Sequence, residues 1–128
     1  MERERRRHAR AKIRWPVIVQ RPEGNVQGET LNFSQNSAFI RCRKPLRLSE
    51  VFDMTIDTPD RRLELNAEVV WSNIYGEDDE VTPRGMGVRF LNVSSEDRDF
   101  LAEVLDSQTL SKVATEYLQT LKEDLGMN

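Results

Sequence analysis

Residues 51–71 read VFDMTIDTPDRRLELNAEVVW. Phe52, Met54 and Ile56 alternate with polar neighbours in the first half, and Leu63, Leu65, Ala67, Val69 and Trp71 do so in the second. A period of two sends one set of side chains to a core and the other to water, the mark of a half-buried strand. Thr58-Pro59-Asp60 between the halves is turn chemistry, because proline fixes φ and aspartate bonds its own backbone. The stretch therefore predicts two antiparallel strands, Val51–Asp57 and Leu63–Trp71, with one wet face.

The same reading extends outward in both directions. Lys12 to Gln20 alternates around Ile13, Trp15, Val17 and Val19, with Pro16 pushing it toward an edge or a bulge. Arg21-Pro22-Glu23-Gly24-Asn25 is a turn cluster, after which Gly28 to Leu31 begins a second strand. Ala38 to Arg43 is a third, stopped by Lys44-Pro45. Glu77-Asp78-Asp79-Glu80 reads as a solvated hairpin connection, and Gly85 to Leu91 as the last strand. Six short strands with turns between them predict a mainly β chain, a six-stranded antiparallel β-barrel whose closure removes exposed sheet edges.

After Asn92 the period changes to three and four. Ser94 or Ser95 can cap a helix whose first turn carries Glu96, Asp97 and Asp99, as the helix dipole favours. Phe100, Leu101, Val104 and Leu105 form its apolar side, and Asp106-Ser107-Gln108 is expected to interrupt it. Leu110, Val113, Ala114, Tyr117, Leu118, Leu121 and Leu125 then make an amphipathic stripe. That stripe suits packing on the barrel or pairing with a second copy as a homodimer. The expected organisation is a basic arm over 1–11, a barrel with the first helix over 12–106, and a C-terminal amphipathic helix over 107–128.

Composition bounds the function. At 128 residues the chain is about one domain, and 38% hydrophobic content suits one modest core. No apolar run approaches the roughly 20 residues of a membrane-spanning helix. The basic N-terminus lacks the apolar stretch of a secretory leader, and the lone Cys42 accords with a reducing cytoplasm, where the protein is expected to reside. The net charge of −3 hides an asymmetry: residues 1–21 hold eight Lys/Arg against two Glu, net +6, which leaves −9 for the rest. Arg3, Arg5, Arg6, Arg7 and Arg10 crowd the arm, and such a run repels itself unless an anion meets it. An acidic body with a basic arm points to a small anionic ligand rather than to specific nucleic-acid binding, although the arm by itself would also suit RNA or acidic lipid. The lone His8 has no second ligand near it, so no metal is expected. Cys42 lacks a partner histidine, and no nucleophile, base and orienting group assemble, so an enzyme is not expected.

Three patterns stand in one order. Arg6-Arg7-His8-Ala9-Arg10 precedes the first strand; Asn32-Phe33-Ser34-Gln35-Asn36-Ser37 runs into the third; Ala67-Glu68-Val69-Val70-Trp71 precedes Gly85-Met86-Gly87-Val88-Arg89-Phe90. Together, over roughly residues 3–105, they resemble the PilZ domain, a bacterial receptor module for cyclic di-GMP, with its Arg-x-x-x-Arg and Asp/Asn-x-Ser-x-x-Gly motifs. The resemblance implies a cyclic di-GMP-binding effector that signals to a protein partner, in motility, biofilm formation or a related output. Arg6, Arg7, Arg10, Asn32, Ser34 and Ser37 would be its ligand-binding residues.

The chemistry of that ligand suits these residue types. Two phosphodiester charges and two guanine O6/N7 edges are what arginine grips with paired hydrogen bonds. Asn32 and Ser34 offer an amide and a hydroxyl to other polar edges. This chain departs from the motif at its end, where Ser37 replaces glycine. If the turn requires a positive φ there, serine costs about 1–2 kcal/mol, roughly tenfold in affinity. The alternative expectation is accordingly a degenerate PilZ domain that binds no cyclic di-GMP and acts through protein contacts.

Overall fold

A computed structural model of the chain describes residues 10–74, 78 and 83–124. Six strands, β1 (Pro16–Gln20), β2 (Val26–Phe33), β3 (Ser37–Cys42), β4 (Val51–Asp57), β5 (Arg62–Asn73) and β6 (Gly85–Asn92), precede one helix, α1 (Ser95–Asp124). The strands close into a barrel in the order β1-β2-β3-β6-β5-β4, with β4 returning to β1 and every pair antiparallel. The mainly β, six-stranded barrel expected from the sequence is therefore what forms.

Inward positions follow the period of two. Val17, Val19, Ala38, Ile40, Phe52, Met54, Ile56, Leu63, Leu65, Ala67, Val69, Met86, Val88 and Phe90 fill the interior, each larger aliphatic contributing about 1.5–3 kcal/mol by leaving water. Two glycines let the walls approach. A Cβ at Gly28 would sit 2.5 Å from the Arg41 carbonyl oxygen, and one at Gly85 would sit 2.2 Å from that of Ile40. β3 is thus pressed from both sides by neighbours that must lack side chains.

β1 is shorter than its sequence pattern, beginning only at Pro16. The preceding segment is held instead by Thr30, a fully buried hydroxyl that accepts from the Trp15 N–H at 2.9 Å and donates to the Ile13 carbonyl at 2.6 Å. β5 departs in the other direction. A register shift between Val69 and Trp71 breaks the alternation, so Trp71 faces outward, 47% exposed, instead of joining Leu63, Leu65, Ala67 and Val69 inside.

Ser94 caps α1: its Oγ accepts from the Asp97 N–H at 3.1 Å and its carbonyl from the Arg98 N–H at 2.9 Å. Arg61 pairs with the Asp97 carboxylate at 3.0 Å and lies over the Phe100 ring at 5.8 Å, fixing the first turn on the barrel end. Leu101 and Leu105 are buried there. The expected interruption at Asp106-Ser107-Gln108 does not occur; the three side chains are exposed, and α1 runs through them. In an exposed helix such residues cost only a few tenths of a kcal/mol each relative to alanine. No helix among the described residues is long and apolar enough to cross a membrane.

Candidate functional site

β2 and β3 are joined by Ser34-Gln35-Asn36, at the barrel end where α1 packs. A register shift between Thr30 and Asn32 allows Thr30 and Phe33 both to point inward and leaves Asn32 half-buried at the surface. Ala11 and Phe33 exchange backbone hydrogen bonds of 2.8 and 2.9 Å, stitching the incoming chain onto the end of β2. That stitch delivers Arg10 to the turn.

The Arg10 guanidinium donates from Nε to Asn32 Oδ1 at 2.8 Å and from Nη2 to the same oxygen. Its Nη1 donates to Ser37 Oγ at 2.9 Å. Desolvation against the barrel draws the Arg10 pKa below its ordinary value, although the group remains charged at neutral pH. Behind Ser37 lies a chain of hydroxyls: Ser37 Oγ is 2.8 Å from Ser34 Oγ, which is 3.1 Å from Asn36 Oδ1. With Ser37 accepting from Arg10, the consistent order is Ser37 donating to Ser34 and Ser34 to Asn36, so each hydroxyl is satisfied once. Ser34 is buried and Arg10 exposed, so the network leads from solvent into the barrel rim. Among the described residues, three of the five guanidinium N–H groups have partners.

Ser37 opens β3 opposite Arg89 of β6, and its backbone is not left-handed; among the described residues the one non-glycine with positive φ is Ser49, at 72°. The strain foreseen for serine at this position is therefore absent. Arg6 and Arg7, together with His8, lie outside the described residues.

The outer barrel face carries the site further. Ser37, Arg89 and Glu68 are register neighbours across β3, β6 and β5, and Arg89 Nη2 is ion-paired with Glu68 Oε1. Two residues along, Asn32, Phe39, Gly87 and Trp71 form a second row across β2, β3, β6 and β5. Gly87 has no side chain to separate its neighbours, and the Phe39 and Trp71 rings meet across it with centroids 5.5 Å apart. A half-open aromatic surface thus begins one strand from the Arg10 cluster. Sequence periodicity missed it by assigning Trp71 to the core or its rim.

A cleft of about 780 Å³ lies at the opposite end of the barrel, between the β1–β2 turn and the segment after β3. Arg21 in its wall is already committed to Glu50 at 3.0 Å and Glu23 at 3.6 Å, and none of the motif residues reaches it. Cys42 is buried, and that burial pushes its thiol up to about 11, against a weaker opposing pull from a backbone hydrogen bond at Lys44. A protonated, covered thiol is a poor nucleophile.

The PilZ domain model matches residues 4–107. The Bacillus subtilis inhibitor of motility MotI/DgrA shares the fold with a TM-score of 0.72 at 20% identity, over 84% of this chain and 52% of that one. The chain therefore spans about half the length of that protein. The PilZ domain of CeSA from a cellulose-synthesizing bacterium superposes with a TM-score of 0.51 at 17% identity, over 78% of this chain and 97% of that one. No curated protein matches the sequence. A family match over most of the chain, a closed six-stranded barrel, and Arg10 seated on the Asn-x-Ser turn agree with one another: the chain belongs to the PilZ domain family.

Proposed function

We propose that this protein is a cyclic di-GMP-binding effector whose ligand bridges the N-terminal arm and the outer barrel face beside the β2–β3 turn. The observation that carries this reading is the Arg10 guanidinium held at the surface by Asn32 Oδ1 and Ser37 Oγ, with two N–H groups not engaged among the described residues. Pre-positioning lowers the ordering cost of binding, since the side chain is already fixed before an anion arrives. Arg10 takes a phosphate or a guanine O6/N7 edge, and Arg6, four residues earlier in the same motif, takes another. The half-exposed Trp71 ring, buttressed by Phe39 tilted at 47° against it, supplies an apolar face on which a guanine base can stack.

The route from ligand to output follows packed rings. Arg10 adjoins Ala11, which is bonded to Phe33; Phe33 stacks on Trp15 at 4.5 Å; Trp15 stacks on Phe100 of α1 at 6.2 Å. A ligand that pulls the arm acts on a column ending in the helix, and a changed helix and barrel face is what a protein partner would read. The fold neighbour whose name is inhibitor of motility makes motility the first output to assay. The degenerate alternative rests on Ser37 and on the added C-terminal helix, and an unstrained Ser37 that accepts from Arg10 weighs against the first of these.

Calorimetry with cyclic di-GMP tests the reading. Wild type is expected to bind, Arg10→Ala to lose about 10–100-fold through two charge-assisted hydrogen bonds, and Trp71→Ala to lose about tenfold through stacking. Absence of heat with the wild type at ligand concentrations well above micromolar would sink it.

A further inference from the structure

α1 leaves the barrel at Leu105. From residue 106 to residue 123 every side chain the structure describes is exposed, about 27 Å of helix with no core beneath it. Leu110, Tyr117, Leu118 and Leu121 on this stretch are 69%, 64%, 57% and 38% exposed. A helix of that length is marginal in water by itself, and four large apolar residues on it make solvent a poor final environment.

The spacing identifies the occupant. Leu110, Ala114, Tyr117 and Leu121 follow one another at steps of four, three and four, the seam of a two-stranded coiled coil. In a parallel pair Ala114 would face Ala114 and Tyr117 would face Tyr117, leaving one layer underfilled and the next crowded. In an antiparallel pair with its two-fold axis between Thr115 and Glu116, Leu110 meets Leu121 and Ala114 meets Tyr117, and the axis repeats both layers. Leucine then meets leucine in the outer layers and small Ala114 faces large Tyr117 in the inner ones, so no layer is underfilled or crowded. Glu116, Lys122 and Glu123 fall off the seam, so no like charges oppose each other within it. Leu118 flanks the seam and extends the covered surface.

We propose that α1 pairs antiparallel with α1 of a second copy through Leu110, Ala114, Tyr117 and Leu121. A seam of four residues per helix is short beside the roughly 20–30 residues a side of a standard stable interface, so the pair is expected to be reversible. The two barrels then sit at opposite ends of the helical pair, each with its Arg10 cluster free. This assembly does not rest on the ligand reading and is tested without ligand.

Sedimentation velocity of the full chain from low micromolar to several hundred micromolar is expected to show a monomer–dimer equilibrium. Leu110→Glu, at an exposed position, is expected to weaken it at least tenfold while leaving the thermal unfolding of the barrel unchanged. Orientation is read with Leu110→Cys and Leu121→Cys, Cys42 being buried. Mild oxidation is expected to cross-link the two variants only when they are mixed. A chain that stays monomeric throughout overturns the proposal; cross-linking of each variant with itself overturns the antiparallel register.

Discussion

Ser37 stands where the family motif ends in glycine, and its effect is decided by where its atoms are. Its backbone is ordinary strand, and its Oγ accepts from Arg10 and neighbours Ser34 Oγ. Ser37→Gly is therefore expected to weaken cyclic di-GMP binding by about tenfold, the lower end of the value of one lost hydrogen bond to a charged group, since Asn32 still holds Arg10. Titration calorimetry checks the sign: a gain in affinity would mean that the hydroxyl crowds the ligand. The sequence showed Asn32, Ser34 and Ser37 through their spacing, but φ at Ser37 follows from pairing with Arg89, which no local pattern encodes. Cys42 offers a second test at this scale. Its thiol is pushed up from 9.0 to about 11 in the folded chain, so the native state keeps a proton that the unfolded state releases. By linkage its contribution to stability is complete below about pH 9 and is lost as pH rises toward about 11. Urea unfolding across that window is expected to show falling stability in the wild type and a shallower fall in Cys42→Ala.

The elements were legible in proportion to how strictly they alternate. β4 has the bounds its sequence predicts, since all of its inward positions are large and apolar and a proline turn ends it. β5 kept its alternation only as far as Val69; the irregularity after it turned Trp71 outward and created the aromatic row, an outcome set by pairing with β6. α1 carried no break because exposed Asp, Ser and Gln cost too little to stop a helix already anchored by Ser94, Arg61 and Phe100. That anchoring makes a prediction. Phe100 is half-buried between Trp15 and Arg61, and Phe100→Ala is expected to cost about 1–3 kcal/mol in urea unfolding, with a red shift in emission from the otherwise buried Trp15. Unchanged stability and emission would show that α1 does not bear on the ring column.

For the molecule as a whole, an acidic body carries a basic arm, +6 over residues 1–21 against −9 over the rest. A dianionic ligand at that arm is expected to bind more weakly as salt rises, because screening shortens the reach of the arginines to within about 8 Å at physiological ionic strength. Affinity measured between low and high salt is expected to fall severalfold, and a flat response would point to binding dominated by stacking on Trp71. The helix leaving the barrel at Leu105 has a mechanical consequence as well. It is a lever: a tilt of about 10° at its root, within what rearranged rings can impose, carries its far end about 5 Å sideways. A sub-ångström shift at the ring of Phe100 would thus arrive at Leu121 as a displacement large enough to unseat one side chain from its neighbour, so the barrel's small motions gain amplitude with distance from the site.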